Sequence, residues 1–176
     1  SPSGTPGTYD GEDTATVTTG QPIVGLAKEL VADPVTVDNG IYTFQYRFVV
    51  ANLGELPLEG VTVTDDLSAT FPAGRGVTVT AATVSSVTVD GTDVAGAVNP
   101  AFNTDPGTGI DTNLVMPDTL NLLVDEEAII LLDVTVQLDD ADALGTYYNT
   151  AFANGSTPGN IPAEEDPSSN GDDPEG

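Results

Sequence analysis

Three polar residues lie at positions where the surrounding alternation predicts the apolar side of a strand. They are Lys28, the only lysine in the chain, Asp65 and Asn149. Reading every second residue, the apolar residues that share their sides are Leu26 and Leu30, Val61 and Val63, and Tyr147 and Ala151. An unpaired charge in such a place costs several kcal/mol, about 3–5 in measured cases, so each group needs a partner or must become neutral.

Together these residues could form a covalent cross-link. A desolvated lysine has a lowered pKa and becomes a neutral amine nucleophile, whereas a desolvated aspartate stays protonated and can polarise a carboxamide oxygen. Attack of the Lys28 amine on the side-chain carbonyl of Asn149 would expel ammonia and leave an amide, with Asp65 as the catalytic acid. The first and last strands would then be tied together, as by a disulfide in a protein that has no cysteine.

A second interpretation needs no chemistry. Lys28 would extend its amine to the surface at a sheet edge, Asp65 would cap a turn, and Asn149 would bond to backbone. The alternation alone leaves both interpretations open.

The elements that must position these residues read as strands. Period-two alternation occurs in "IYTFQYRFVVANLG", "GVTVTDDL", "EEAIILLDVTVQLDD" and "GTYYNTAFANG", and "GVTVTAATVSSVTVDG" predicts one long or broken strand. Asn39-Gly40 is a hairpin-turn signal, and helical periodicity is absent except for a turn at 139–145. We therefore expect an all-β fold, an antiparallel Ig-like β-sandwich of about seven to nine strands.

Composition divides the chain into three parts. Residues 22–154 form the predicted sandwich, and the Gly-, Pro- and acid-rich residues 155–176 are predicted to be a C-terminal linker or tail. Residues 1–21 are predicted to be an arm, in which "TATVTTG", residues 14–20, is β-branched and suited to be donated to the open sheet edge of a neighbour.

The overall charge and two missing residue types exclude several functions. A formal net charge of -25 opposes binding to nucleic acid or to an anionic membrane, and no stretch is long enough to insert into a membrane. The chain has neither His nor Cys, so it lacks the usual general base, a Ser-His-Asp set and a cysteine zinc site. We expect no enzyme beyond the autocatalytic cross-link.

Acidic clusters indicate calcium, which prefers several carboxylates together with backbone oxygens. Clusters occur at 10–13, 105–111, 125–127, 139–142 and 164–166, and none has the spacing of an EF-hand loop. The alternative for each cluster is a solvated acidic surface that binds no specific ion. The candidate ligands are Asp10, Glu12, Asp13, Asp105, Asp111, Glu164, Glu165 and Asp166.

The blocks "LAKEL", "YTFQYRFVVANLGELPLEGVTVTDDL", "VDEEAIILLDVTVQL" and "YYNTAFA" resemble a repeat domain of bacterial and archaeal surface proteins, the domain-of-unknown-function-eleven type. The resemblance covers roughly residues 22–154 and departs from the family at the turn "VDEEA". The spacing of the lysine, aspartate and asparagine is also similar to that in collagen-adhesin-type domains with internal isopeptide bonds. It implies a Lys28–Asn149 bond promoted by Asp65.

These observations predict a structural subunit or repeat of an extracellular, cell-surface filament, sheath or adhesin stalk, stabilised by calcium and the isopeptide bond. Its partners would be copies of itself or tandem neighbouring domains. The alternative is an adhesin binding module that recognises glycan or protein through its loops, with residues 99–113 as the suspected loop.

Overall fold

The structure is a computed structural model, and it describes residues 20–103, 110–139 and 145–175. Within these ranges the chain forms ten strands, one short α-helix and two 3-10 turns. The strands are β1 (Val24–Leu30), β2 (Val35–Asp38), β3 (Ile41–Asn52), β4 (Glu59–Asp65), β5 (Val77–Val89), β6 (Thr92–Asp93), β7 (Glu127–Leu138), β8 (Ala151–Ser156), β9 (Asp166–Pro167) and β10 (Ser169–Asn170). The helix α1 spans Leu67–Thr70, and the 3-10 turns span Ala73–Arg75 and Ala95–Ala97.

The strands form two sheets, which confirms the all-β sandwich. The larger sheet has the order β10-β1-β3-β7-β5-β6, with β2 paired to β3, and the smaller has the order β4-β8-β9. Every strand pair in the described residues is antiparallel except β1 with β10. The larger sheet is therefore mixed, where an antiparallel one was expected.

The hydrophobic core includes inward residues that the alternation predicts. Phe48 of β3 and Ile130 and Leu132 of β7 are fully buried. They pack with Val61 and Val63 of the smaller sheet. Each such side chain contributes about 1.5–3 kcal/mol by leaving water. These contacts hold the two sheets together and fix which side of β1 and β4 faces inward.

Two features of the predicted strands have clear local causes. The β2–β3 hairpin turns at Asn39-Gly40, where Gly40 has a φ of 73° that side chains disfavour. The long strand β5 shifts register twice against β7, so it is one strand with two irregularities.

Asn52 and Gly54 fix the chain after β3. The buried Asn52 Nδ2 donates to the carbonyls of Leu56 at 2.9 Å, Leu122 at 3.2 Å and Leu123 at 3.1 Å, and its Oδ1 accepts from Gly54 N at 3.0 Å. A Cβ on Gly54 would lie 2.5 Å from the carbonyl oxygen of Gln21. Only glycine at position 54 therefore allows the backbone of residues 21–23 to pass so close to it.

The C-terminal segment packs on the sandwich, where a linker or tail was expected to begin at residue 155. Gly171 N donates to Lys28 O at 3.0 Å, and Leu26 N donates to the Asp166 carboxylate at 2.8 Å. Ala163 and Thr157 are buried. The open edge of β1 supplies unpaired backbone groups, which is why this polar stretch folds against it.

No helix within the described residues is long and apolar enough to cross a membrane.

Candidate functional site

The three polar residues come together between the two sheets. Lys28 lies in the middle of β1 and is 5% exposed, and Asp65 is the last residue of β4 and is 1% exposed. The lysine therefore points inward, and the interpretation in which it reaches the surface is wrong. Asp65 is positioned from both edges of β4, because it pairs with Ala151 and its N–H donates to Thr112 O at 2.9 Å.

One oxygen of Asp65 contacts both of the other residues. Lys28 Nζ donates to Asp65 Oδ2 at 2.5 Å, and Asn149 Nδ2 donates to the same oxygen at 3.2 Å. The other carboxylate oxygen, Oδ1, is buried and has no hydrogen-bond partner among the residues that the structure describes. A buried carboxylate with an orphan oxygen is poorly solvated as an anion.

Aromatic rings of β3 line the lysine. Lys28 Nζ lies 4.1 Å from the ring centroid of Tyr46 and 5.0 Å from that of Phe48. The ring faces attract the charged amine weakly, but the same rings exclude the water that would solvate it. The Lys28 amine thus has the Asp65 carboxylate as its hydrogen-bond acceptor and rings on its other sides.

Burial moves the proton of this pair toward the acid. Desolvation lowers the pKa of Lys28, opposed by the attraction and hydrogen bond of Asp65. Desolvation also raises the pKa of Asp65, opposed by Lys28 and Asn149. Both directions favour a neutral amine beside a neutral carboxylic acid, since neither charge is solvated. This is the protonation state that an amine nucleophile requires.

Asn149 is held at both ends of its carboxamide. It lies two residues before β8, partly buried, and Thr70 Oγ1 donates to its Oδ1 at 2.8 Å. Burial raises the pKa of the nearby Tyr46 to about 12, and hydrogen bonding with Asn149 opposes that rise. Tyr46 is therefore a neutral phenol near neutral pH.

The structure differs from the sequence-based expectation in two details of this residue. Asp65 was expected to polarise the Asn149 oxygen, but it contacts the nitrogen, and the oxygen faces Thr70. Asn149 was also expected on the last strand, but β8, β9 and β10 all follow it. The predicted strand forms only from Ala151 onward, and the C-terminal segment adds β9 and β10, which its polar composition did not indicate.

Two residues of the site were not identified from the sequence. Asp66 caps α1, because its Oδ1 accepts from Ser68 N at 3.0 Å and Ala69 N at 3.2 Å, and this helix carries Thr70. An aspartate before "LSAT" is a recognisable N-cap signal. The helix is only one turn long, which is too short to produce a periodic pattern in the sequence. The capping role considered for Asp65 belongs to its neighbour.

The candidate calcium ligands do not assemble into a site in the part of the chain that the structure describes. No three carboxylates come together there in an arrangement that could hold a metal ion. Asp111 accepts from Asn113 N and Asn99 Nδ2, and Asp166 accepts from Leu26 N. Glu164 and Glu165 lie beside Asp166 on the surface. Four candidates lie outside the described residues, namely Asp10, Glu12, Asp13 and Asp105.

Comparison with known proteins does not add a family. No protein-family model matches the sequence, and no curated protein matches it. The resemblance to a surface-protein repeat domain stays a prediction.

Proposed function

We propose that this chain is a structural unit of an extracellular surface filament, sheath or adhesin stalk, with an amide cross-link between Lys28 and Asn149. The observation that carries the proposal is that the Lys28 amine and the Asn149 carboxamide nitrogen both contact Asp65 Oδ2 in a buried, aromatic-lined site. A buried pair of this kind adds little stability by itself, which favours a chemical role for it.

The proposed reaction balances without a further reactant. The neutral Lys28 Nζ attacks Asn149 Cγ, so the Nζ–Cγ bond forms and the Cγ–Nδ2 bond breaks. Asp65 gives its proton to the departing Nδ2 and takes one from Nζ, so its own protonation is restored. Because one oxygen touches both nitrogens, the proton transfers need no rearrangement of the acid. The products are a secondary amide and ammonia.

The cross-link would join the two sheets. Lys28 belongs to the larger sheet, and Asn149 enters the smaller sheet through β8. It would also close a long loop in the unfolded chain, which by analogy with a disulfide contributes about 4–5 kcal/mol for a loop of roughly 100 residues. A stalk domain under tension benefits from this, since β1 could not then peel away from β8.

End-to-end assembly is the second part of the proposal, and the open edge of β2 supports it. Within the described residues β2 pairs only with β3, and it exposes Val35 and Val37. Unprotected edges of this kind accept added strands. The donor we propose is the segment 14–20, most of which lies outside the described residues.

Chain geometry favours a second copy as the source of that donor strand. Gly20 lies against Leu56, near the Asn52 end of β3, whereas β2 pairs with the Ile41 end. These ends are roughly 40 Å apart for a strand of this length. Six residues before Gly20 span at most about 20 Å, so the segment 14–20 cannot reach its own β2.

Electron microscopy of filaments tests the end-to-end assembly. Val37→Lys on the acceptor and deletion of residues 1–19 should each abolish filaments in the electron microscope. Val124→Lys, an exposed site near the start of β7, is the matched control and should leave filaments intact. A wild-type protein that stays monomeric at every calcium and protein concentration tested would refute this part.

Calcium completes the proposal through charge. The net charge of -25 means that carboxylates repel one another within a subunit and between subunits, and divalent cations would reduce that repulsion. We expect the melting temperature and the particle size to rise with millimolar calcium, and to fall again with a chelator. Equal effects of magnesium would indicate screening, and no effect of either ion would remove calcium from the proposal.

A groove beside the site supports the alternative, an adhesin module. It has a volume of about 420 Å³ and is lined by hydroxyl groups and aromatic rings, those of Thr64, Thr70, Thr112, Thr150, Tyr148 and Phe152. Tyr148 is 87% exposed, and sugars combine hydroxyls with faces that pack on such rings. A glycan array with wild type and Tyr148→Ala tests it, and binding that the substitution removes would favour this alternative.

Intact mass decides the first part of the proposal. We expect wild type to be lighter than its sequence by one ammonia, about 17 Da. Lys28→Arg supplies no nucleophile, because the guanidinium stays protonated, and Asn149→Ala supplies no carboxamide. Both should show the full sequence mass, and a full-mass, folded wild type would refute the cross-link.

A further inference from the structure

The hydroxyl of Thr70 is placed on the one atom of the carboxamide that must gain negative charge. Thr70 Oγ1 donates to Asn149 Oδ1 at 2.8 Å, while its distance to the next acceptor, Asp66 O, is 3.5 Å. The hydroxyl hydrogen is therefore directed at Asn149, and the weaker contact to its own helix does not compete.

The local fold holds Thr70 in this position. Asp66 Oδ1 caps the helix by accepting from Ser68 N, Ala69 N and, at 2.6 Å, Ser68 Oγ. Leu67 is fully buried and anchors the first turn in the core. The stretch 65–70 thus supplies the acid from the end of β4, and the cap and the hydroxyl from the start and end of the short helix that follows.

Attack on an amide carbonyl converts its oxygen into an oxyanion. A donor that is already in place stabilises that charge without reorganisation, and removal of one such donor in known enzymes costs about 100- to 1,000-fold in rate. Asp65 cannot fill this role in the observed geometry, because it contacts the nitrogen of the carboxamide.

We propose that Thr70 is a catalytic residue of the cross-linking reaction, donating a hydrogen bond to the oxyanion that forms at Asn149 Oδ1. This inference rests on the proposed Lys28–Asn149 bond. Thr70 keeps its proton throughout, since it stabilises the charge and Asp65 performs the transfers. When Nδ2 leaves, the carbonyl re-forms and the same hydrogen bond remains on the product amide.

A purely structural Thr70, which only fastens α1 to residue 149, makes a different prediction. In that case its loss would weaken the fold but leave the rate of cross-linking in the folded protein unchanged. The experiment must therefore measure that rate separately from folding.

Refolding kinetics separate the two roles. The full chain is kept unfolded in denaturant, so that it has not reacted, and is then diluted into buffer. Tyrosine fluorescence follows folding. The mass of acid-quenched samples follows the loss of ammonia. The variants are Thr70→Val, which keeps the shape without the hydroxyl, and Thr70→Ser, which keeps the hydroxyl. Thr64→Val, on the same groove, is the matched control.

We expect Thr70→Val to slow the loss of ammonia about 100- to 1,000-fold after folding is complete. Thr70→Ser and Thr64→Val should stay within about threefold of wild type, a change smaller than a lost oxyanion donor produces. Thr70→Ala replaces Thr70→Val if the latter folds poorly. Cross-linking at the wild-type rate without the hydroxyl would overturn this inference alone, whereas a wild type that never loses ammonia would overturn the proposed function.

Discussion

Lys28 and Asn149 meet at a single atom, because both side-chain nitrogens donate to Oδ2 of Asp65, at 2.5 Å and 3.2 Å. The carboxyl group is placed to exchange protons with the amine that attacks and the amine that leaves. Aromatic rings and burial favour the neutral pair, and Thr70 fixes the oxygen of the carboxamide. Five predictions follow from these contacts and from the packing around them.

Replacing the acid, Asp65, by asparagine should slow the cross-linking reaction while changing the shape of the side chain little. We expect Asp65→Asn to fold and to slow ammonia loss by about 100- to 10,000-fold, the usual contribution of a general acid-base group. Asp66→Asn is the matched control, because asparagine caps a helix about as well as aspartate. Intact mass against time checks both. Equal rates for Asp65→Asn and wild type would contradict the assigned role.

The free energy of the buried pair can be measured where no cross-link forms, in an Asn149→Ala background. We expect Lys28→Met to cost about 3 kcal/mol because it leaves Asp65 buried without its partner. The double substitution Lys28→Met with Asp65→Leu should lie within about 1 kcal/mol of the background or be more stable. Urea unfolding checks this. A double substitution that costs as much as the sum of the singles would show that the two groups are not coupled.

The pH dependence follows from the directions of the two pKa shifts. The raised pKa of Asp65 alone would lower stability as pH rises above 3.8, and the lowered pKa of Lys28 alone would lower it below 10.5. Both losses fall between these two values, and both are complete where the folded pair is a neutral amine beside a neutral acid. The pair's contribution to stability should therefore be lowest inside this window and rise toward pH 3.8 and toward pH 10.5.

The rate of cross-linking should be highest inside the same window, where the amine is neutral and the acid is protonated. Toward the acid end a second proton charges the amine, and toward the alkaline end the acid loses its proton, so the rate falls on both sides. Refolding at a series of pH values, with mass as the readout, checks this. A rate that climbs tenfold per pH unit through neutrality would instead indicate an ordinary lysine that is charged in the folded state.

Asn52 supports the fold rather than the reaction. We expect Asn52→Ala to cost about 3 kcal/mol, because it removes four hydrogen bonds to the backbone of residues 54–56 and 122–123 and leaves the buried Gly54 N–H without its side-chain acceptor. Asn154→Ala is the control, since Asn154 is exposed and makes one side-chain contact, with Thr62 at 3.0 Å. Thermal unfolding of both in the Asn149→Ala background checks the difference. Similar losses for both would contradict the role assigned to Asn52.

The sequence by itself determined the sandwich and the inward direction of two polar side chains. Period-two alternation is a local property of a strand. It therefore predicts which face of the sheet a side chain occupies without information about the partner strand, as it does for Leu26, Lys28, Val63 and Asp65. The hairpin at Asn39-Gly40 is equally local, because the backbone conformation of Gly40 depends on the residue itself.

Only the tertiary structure decided how the site is arranged. That Asp65 contacts the nitrogen of Asn149, and Thr70 its oxygen, depends on where a one-turn helix sits against a segment about 80 residues away, for which the chain carries no periodic signal. The C-terminal strands were also decided there. β10 pairs with β1 and β9 with β8 because these backbone edges need hydrogen bonds, and backbone pairing requires no apolar pattern.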